Sequence, residues 1–236
     1  MKRLGGENCL NVNEVGRGRW RQVLACLCLA LSVLAVSCGG DAQTGSKDFD
    51  ADDAAASANV KKGVKPEPDA EAAVLETSYG QIVIELYPNL APQMVERFKS
   101  LAKEGFYNGT AFHRVNPSAG VVQGGDPNSK DDDPRNDGMG GSPYPDLPAE
   151  FSDIPFDRTI VGAARSQSVD SANSQFYFTL RRVPNWDAQY TVFGRVIKGM
   201  GDVDIIAGAP TLPGSEIPAE KIVIKSITLK PRSDFK

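Results

Sequence analysis

From Ala73 onward the chain reads as short apolar stretches cut by turn residues. Residues 73–77, a Ser78-Tyr79-Gly80 turn and residues 81–86 form a strand-turn-strand signature. Successive side chains of a strand point to opposite faces, so Ile82, Ile84 and Leu86 share one face. Pro92 then stands where the first turn of a helix tolerates a residue without an N–H. Val95, Phe98, Leu101 and Ala102 recur at helical spacing up to Gly105, a natural stop, which predicts one amphipathic helix. Beyond it, residues 111–115, 121–123, 159–164, 175–180, 190–196 and 222–229 read as further strands, with a second, brief helix around residues 200–206. Many short strands with one or two helices argue for a closed barrel or a sandwich rather than alternating βαβ units. Between Gly125 and Glu150 runs a long loop rich in Pro, Asp and Gly, and loops of that length inside a compact domain are usually functional.

The first seventy or so residues follow another pattern. Arg17, Arg19 and Arg21 precede an apolar run over residues 23–36, too short to span a membrane comfortably. Small residues then lead directly into Cys38. A basic region, a short apolar region and small residues before a cleavage point read as a secretory signal. The end of the run resembles a bacterial lipobox, which implies acylation of Cys38; an ordinary signal peptide or an uncleaved anchor is the competing reading. Residues 39–72 are rich in Ala, Asp, Ser, Gly and Lys, cannot bury enough apolar surface to offset their ordering entropy, and read as a flexible spacer. The organisation expected is a signal over residues 1–37, a linker over 38–72, a folded domain over 73–232 and a short tail over 233–236.

Charge and cysteine placement narrow the chemistry. The whole chain carries 26 basic and 30 acidic residues. Removing the 5 basic and 2 acidic residues ahead of Cys38 leaves a net charge of −7, which argues against a nucleic-acid partner. Cys9, Cys26 and Cys28 fall in the signal and none follows Cys38, so no disulfide or thiolate site is expected in the folded part. No phosphate-cradling loop is present: Gly138-Met139-Gly140-Gly141 follows no apolar strand and opens no helix. His113 is the one histidine, which supports neither a triad nor a metal site, so no metal or cofactor is expected.

Four ordered motifs carry the chemistry: Phe112-His113-Arg114, Gln123-Gly124-Gly125-Asp126, Ser171 to Phe176 as Ser-Ala-Asn-Ser-Gln-Phe, and Val192-Phe193-Gly194-Arg195-Val196. In order and content they resemble the cyclophilin family of peptidyl-prolyl cis/trans isomerases, over about residues 73–231. The resemblance implies a mainly β fold, a closed eight-stranded antiparallel barrel capped by two helices, with the substrate groove on its outer face. It also implies rotation about the peptide bond before proline, whose partial double bond sets a barrier of about 18–20 kcal/mol. No bond is broken, so neither nucleophile nor metal is required.

By the same resemblance, Arg114 and Gln123 are the catalytic pair. At the barrier top the prolyl nitrogen regains a lone pair, and a guanidinium donating to it binds the twisted amide better than the ground state. Gln123 would hold that guanidinium and the substrate backbone. Phe112, Val121 and Tyr177 would line the proline pocket, with Trp186 and Tyr190 at its rim, and Gly138, Ala164, Arg165 and Gln175 would border the groove. His113 reads as a structural strand residue.

Departures from the family pattern are specific. The segment between Arg114 and Gln123 is one residue longer than usual, and Ala119 or Gly120 replaces a pocket phenylalanine. Arg165 replaces a common asparagine, Asn185 stands where many members have tryptophan or histidine, and Tyr190 stands where many have histidine. Two functions are therefore expected to compete: a lipid-anchored, monomeric isomerase acting on X-Pro segments of exported proteins, and a catalytically weakened proline-peptide-binding or chaperone module. Either would sit outside the cytoplasm on a bacterial envelope. Gly39 after Cys38 resembles lipoproteins sent to an outer membrane, facing the periplasm.

Overall fold

The computed structural model describes residues 59–235; the signal segment and Cys38 lie outside them. Its strands are β1 (Glu71–Thr77), β2 (Gln81–Leu86), β3 (Ala111–Asn116), β4 (Val121–Asp126), β5 (Ile160–Ala163), β6 (Phe176–Thr179), β7 (Val192–Lys198) and β8 (Ile224–Pro231). Two α-helices, α1 (Pro92–Lys103) and α2 (Met200–Ala207), and three short 3-10 helices (Pro127–Lys130, Pro184–Trp186 and Arg232–Phe235) accompany them. All eight strands form one antiparallel sheet in the order β3-β4-β6-β5-β7-β2-β1-β8.

The sheet curls into a half-barrel and stays open, which corrects the expected closed barrel. Its edges, β3 and β8, share no strand ladder. The seam between them is crossed by one bridge, Ala111 to Val223, and by single bonds such as Phe112 N donating to Ile222 O at 2.9 Å and Val115 N donating to Glu216 O at 2.7 Å. The cause lies on both sides of the seam. β3 changes register twice, around Phe112, and the chain facing it ahead of β8 carries Pro210, Pro213 and Pro218, which have no N–H to give a ladder.

Period-2 alternation builds the core. Ile82, Ile84 and Leu86 of β2, Val122 of β4, and Phe176 and Phe178 of β6 all face one continuous apolar interior. α1 closes one end with Met94, Val95, Phe98, Leu101 and Ala102. Phe98 packs its ring 5.2 Å from Tyr107 and 5.4 Å from both Phe176 and Phe193. The start of α1 has no cap of its own, and Glu150, at the far end of the long loop, accepts from the backbone N–H of Gln93 and Met94 at 3.1 and 3.0 Å.

The spacer reading of residues 39–72 differs from the structure at its C-terminal end. Lys61 N donates to Phe151 O, and Lys61 O accepts from Asp153 N. Lys61 Nζ donates to Leu90 O at 2.8 Å, and the Asn89 side chain bonds both Lys65 O and the N–H of Glu67. Asp69 pairs with Lys99 of α1 at 2.8 Å, and β1 opens at Glu71. Composition reports apolar content, whereas this strap is held through its backbone and its charged ends. Among the described residues no helix is long and apolar enough to cross a membrane.

Candidate active site

One cross-strand row defines the outer face. Arg114 of β3 pairs with Gln123 of β4, Gln123 with Tyr177 of β6, and Tyr177 with Gly162 of β5. Since Val122, Phe176 and Phe178 turn inward, Gln123 and Tyr177 point out. A groove of about 340 Å³ opens over the row. Of the residues expected there, Arg114, Gln123, Val121, Gly138, Ala164, Arg165, Tyr177, Trp186 and Tyr190 line it. Gln175 lines an adjoining hollow and is bonded to Gln123.

Phe112 is the exception, and it corrects the expected proline pocket. It is 1% exposed and sits in the main core, its ring 5.8 Å from Phe178 and 6.4 Å from Phe176. Strict alternation would place residues 112 and 114 on one face. Here Phe112 faces Gly124 and Arg114 faces the next residue along, Gln123, so His113 is an extra residue in a bulge that re-aims the strand. Phe112 turns inward, and His113 and Arg114 both reach the groove.

Polar side chains form a connected line along the groove. Gln175 Nε2 donates to Gly140 O at 2.7 Å and Gly138 O at 3.0 Å. Its Oε1 accepts from Gln123 Nε2 at 2.9 Å, and Gln123 Oε1 accepts from Arg114 Nη1 at 3.2 Å. Arg114 is thus tied through two amides to the loop bearing Gly138. That loop is pinned from below by Asp126, fully buried, whose carboxylate accepts from the backbone N–H of Asn128, Gly138 and Gly140.

The apolar end of the groove is aromatic. Tyr177 and Trp186 lie 5.2 Å apart, Trp186 and Tyr190 5.4 Å, and Tyr177 and Tyr190 6.1 Å, with Phe156 stacked on Tyr177 at 6.3 Å. Val121 belongs to this cluster and Ala119 packs against it, so the position expected to carry a pocket ring contributes a methyl group. Arg165 lies over the Tyr190 ring at 4.6 Å and donates to Gln189 O, which ties the rim together.

Four groove residues were not named as site residues by the sequence: His113, Asp137, Glu216 and Ile217. His113 sits inside a recognised motif but was read as structural. The residue is 5% exposed with neither ring nitrogen bonded within the protein, and burial pushes its pKa below 6.5 against the pull of Asp126. Burial, and then the nearby charges of Asp126 and Asp131, push the Asp137 carboxyl above its ordinary range. Glu216 and Ile217 come from the connection after α2, where no motif marks them.

The structure thus presents an antiparallel half-barrel with a helix-capped core and an outer groove that combines an anchored guanidinium with an apolar aromatic pocket. Residues 72–229 match the family described as cyclophilin type peptidyl-prolyl cis-trans isomerase/CLD, and the chain belongs to that family. It is 45% identical over 159 residues to a probable peptidyl-prolyl cis-trans isomerase of Brucella suis, covering 65% of this chain and 81% of the relative. A peptidyl-prolyl cis-trans isomerase of Acinetobacter baylyi is 36% identical over 166 residues, covering 66% of this chain and 84% of that one. Among solved structures, a cyclophilin of Cryptosporidium parvum crystallised with the dipeptide Ala-Pro aligns with a TM-score of 0.61 and 27% identity, over 67% of this chain and 98% of that one. The activity is accordingly that of a peptidyl-prolyl cis/trans isomerase, EC 5.2.1.8.

Proposed function

We propose that the protein isomerises X-Pro bonds in exported proteins outside the cytoplasm, with Arg114 donating to the prolyl nitrogen as the amide twists. The observation that carries this reading is the tether on Arg114. Gln123 holds one end of the guanidinium while the aromatic pocket of Tyr177, Trp186 and Tyr190 lies in the same groove. The proline ring would enter that pocket, placing its nitrogen toward Arg114. A donor held in place before the reaction stabilises the twisted state without reorganisation. Arginine suits the role because it stays charged and aims a rigid fork of donors. Crystallisation of the Cryptosporidium relative in the presence of the dipeptide Ala-Pro supports X-Pro ligands here.

The extracytoplasmic part of the reading rests on the signal and on Cys38, whose acylation would tether a monomer to the envelope. Exchange at an X-Pro bond in a short peptide, followed by NMR, tests the chemistry: the domain accelerates it and Arg114→Ala lowers kcat by about 10²–10³-fold. Unchanged activity in that variant rejects the Arg114 role. Labelled palmitate appearing on wild-type protein and not on Cys38→Ser tests the anchor, and equal labelling of both rejects it.

A second reading, a proline-peptide binder with weakened catalysis, draws on Ala119 in place of a pocket ring. It gains if the wild-type domain binds proline peptides and accelerates no exchange.

A further inference from the structure

Arg114 has a second partner that no motif announced. Its Nε donates to Glu216 Oε2 at 2.5 Å, on the side of the guanidinium away from the Nη1 bond to Gln123. The other carboxylate oxygen, Oε1, accepts from Asn116 Nδ2. We propose that Glu216 is a positioning residue for isomerisation, fixing the plane of the Arg114 guanidinium, and that Asn116 fixes Glu216 in turn. This inference rests on the role for Arg114 proposed above.

A guanidinium held at one nitrogen can swing about that bond, whereas one held at Nε and Nη1 has its plane defined. No hydrogen bond among the described residues engages Nη2, so that nitrogen remains for a ligand in the groove that both Arg114 and Glu216 line. The backbone of Glu216 is itself registered on β3, through Val115 N donating to Glu216 O at 2.7 Å, immediately next to Arg114. The position of the carboxylate is therefore set by the strand that carries the arginine. Both side chains are about two-fifths exposed, and ion pairs so exposed add little to stability. The consequence of the pair is orientation.

Asn116 joins this unit to the lengthened turn. Its Oδ1 accepts from Ala119 N at 2.7 Å and its backbone O from Gly120 N at 2.8 Å, so it shapes the turn between β3 and β4, the segment expected from the sequence to run one residue longer than the family pattern. A turn one residue longer, and a carboxylate brought in across the open seam to meet its first residue, form one device. Through it the turn conformation reaches the guanidinium.

The test uses an Ala-Pro-containing peptide, exchange spectroscopy, and the NMR resonance of the Arg114 Nε–H group in the full chain. Glu216→Ala is expected to lower kcat about tenfold with KM within about twofold, to shift or broaden the Nε–H resonance, and to leave the unfolding midpoint unchanged. Glu216→Gln, which keeps shape and one acceptor, recovers part of kcat; Asn116→Ala gives a smaller loss. In an Arg114→Ala background Glu216→Ala adds nothing. An active wild type with kcat and resonance unmoved in Glu216→Ala overturns the assignment, as does a loss of kcat that only tracks lost stability. A wild type that accelerates no exchange overturns the underlying reading instead, and this one with it.

Discussion

Tyr177 reaches across β5 into the space that a side chain on Gly162 would fill. A Cβ at Gly162 would stand 2.7 Å from Tyr177 Cε2 and nearer still to Cζ and Oη, so the two residues, paired directly in register, form one complementary unit at the groove floor. Close approach is what requires glycine there. The phenol Oη is buried with no protein partner, and burial pushes its pKa well above 10, so it remains protonated.

Gly162→Ala is therefore expected to displace the Tyr177 ring, destabilising the domain by about 1–3 kcal/mol and weakening proline-peptide binding. Tyr177→Phe removes a buried hydroxyl that lacks a partner and is expected to stabilise by about 1 kcal/mol. Combining the two relieves the clash at Oη, so the double variant should be more stable than the sum of the singles by over about 0.5 kcal/mol. Urea unfolding of the four proteins measures this, and strict additivity would show that the residues do not press on one another.

Asp126 governs the loop that frames the other side of the groove. It is fully buried and accepts three backbone N–H groups, two of them from Gly138 and Gly140. Asp126→Ala orphans those donors and is expected to cost about 3 kcal/mol. Hydrogen exchange at Gly138 and Gly140 should quicken more than at the α1 amides. Uniform quickening across the domain would mean that Asp126 supports the whole fold and has no selective hold on the loop.

The extent to which the sequence anticipated this site follows from what a linear pattern can carry. The resemblance of the motifs, and no apolar period, led to Gln123 and Tyr177, and the structure sets both in or beside the groove while their neighbours Val122, Phe176 and Phe178 turn inward. The resemblance also put Phe112 in the proline pocket, where the structure does not, because a bulge at His113 adds one residue and inverts the facing of what precedes it, and a bulge has no signature in apolar spacing. Glu216 was invisible for a different reason: it meets Arg114 across the open seam, 102 residues along the chain, in a stretch without apolar period. The closed barrel was what the resemblance implied; strand count left barrel or sandwich open, and it does not reveal where prolines interrupt a seam.

His113 gives the site a defined response to acid. Its folded pKa lies below 6.5, chiefly through burial, so between that lowered value and 6.5 the unfolded chain binds more protons than the folded one. Stability therefore rises with pH across this window and is lost as pH falls below about 6.5, with a slope of at most about 1.4 kcal/mol per pH unit. Urea midpoints measured from pH 7.5 to 5 should decline in the wild type, and His113→Gln should decline less steeply. Parallel slopes in the two proteins would assign the decline to other groups, the carboxylates foremost.

The strap ahead of β1 should contribute to the stability of the domain as well as linking it. Asn89, in the corner between β2 and α1, bonds the strap twice, donating to Lys65 O at 2.8 Å and accepting from Glu67 N at 3.0 Å. Lys61 Nζ donates to Asn89 O and Leu90 O of the same corner, and Leu90 and Val64 of the strap both join the cluster that holds Tyr177. Loss of one such bond costs about 0.5–1.5 kcal/mol, so Asn89→Ala is expected to destabilise by about 1–2 kcal/mol and Lys61→Met by a similar amount. Because both act through one corner, their effects should fall short of additive. Hydrogen exchange distinguishes the strap from a passive tether: in the wild type the amides of Lys61 and Asp69, which bond Phe151 O and Leu86 O, should be protected, and Asn89→Ala should strip that protection first. Amides there that exchange freely in the wild type would return residues 60–70 to the role of a spacer.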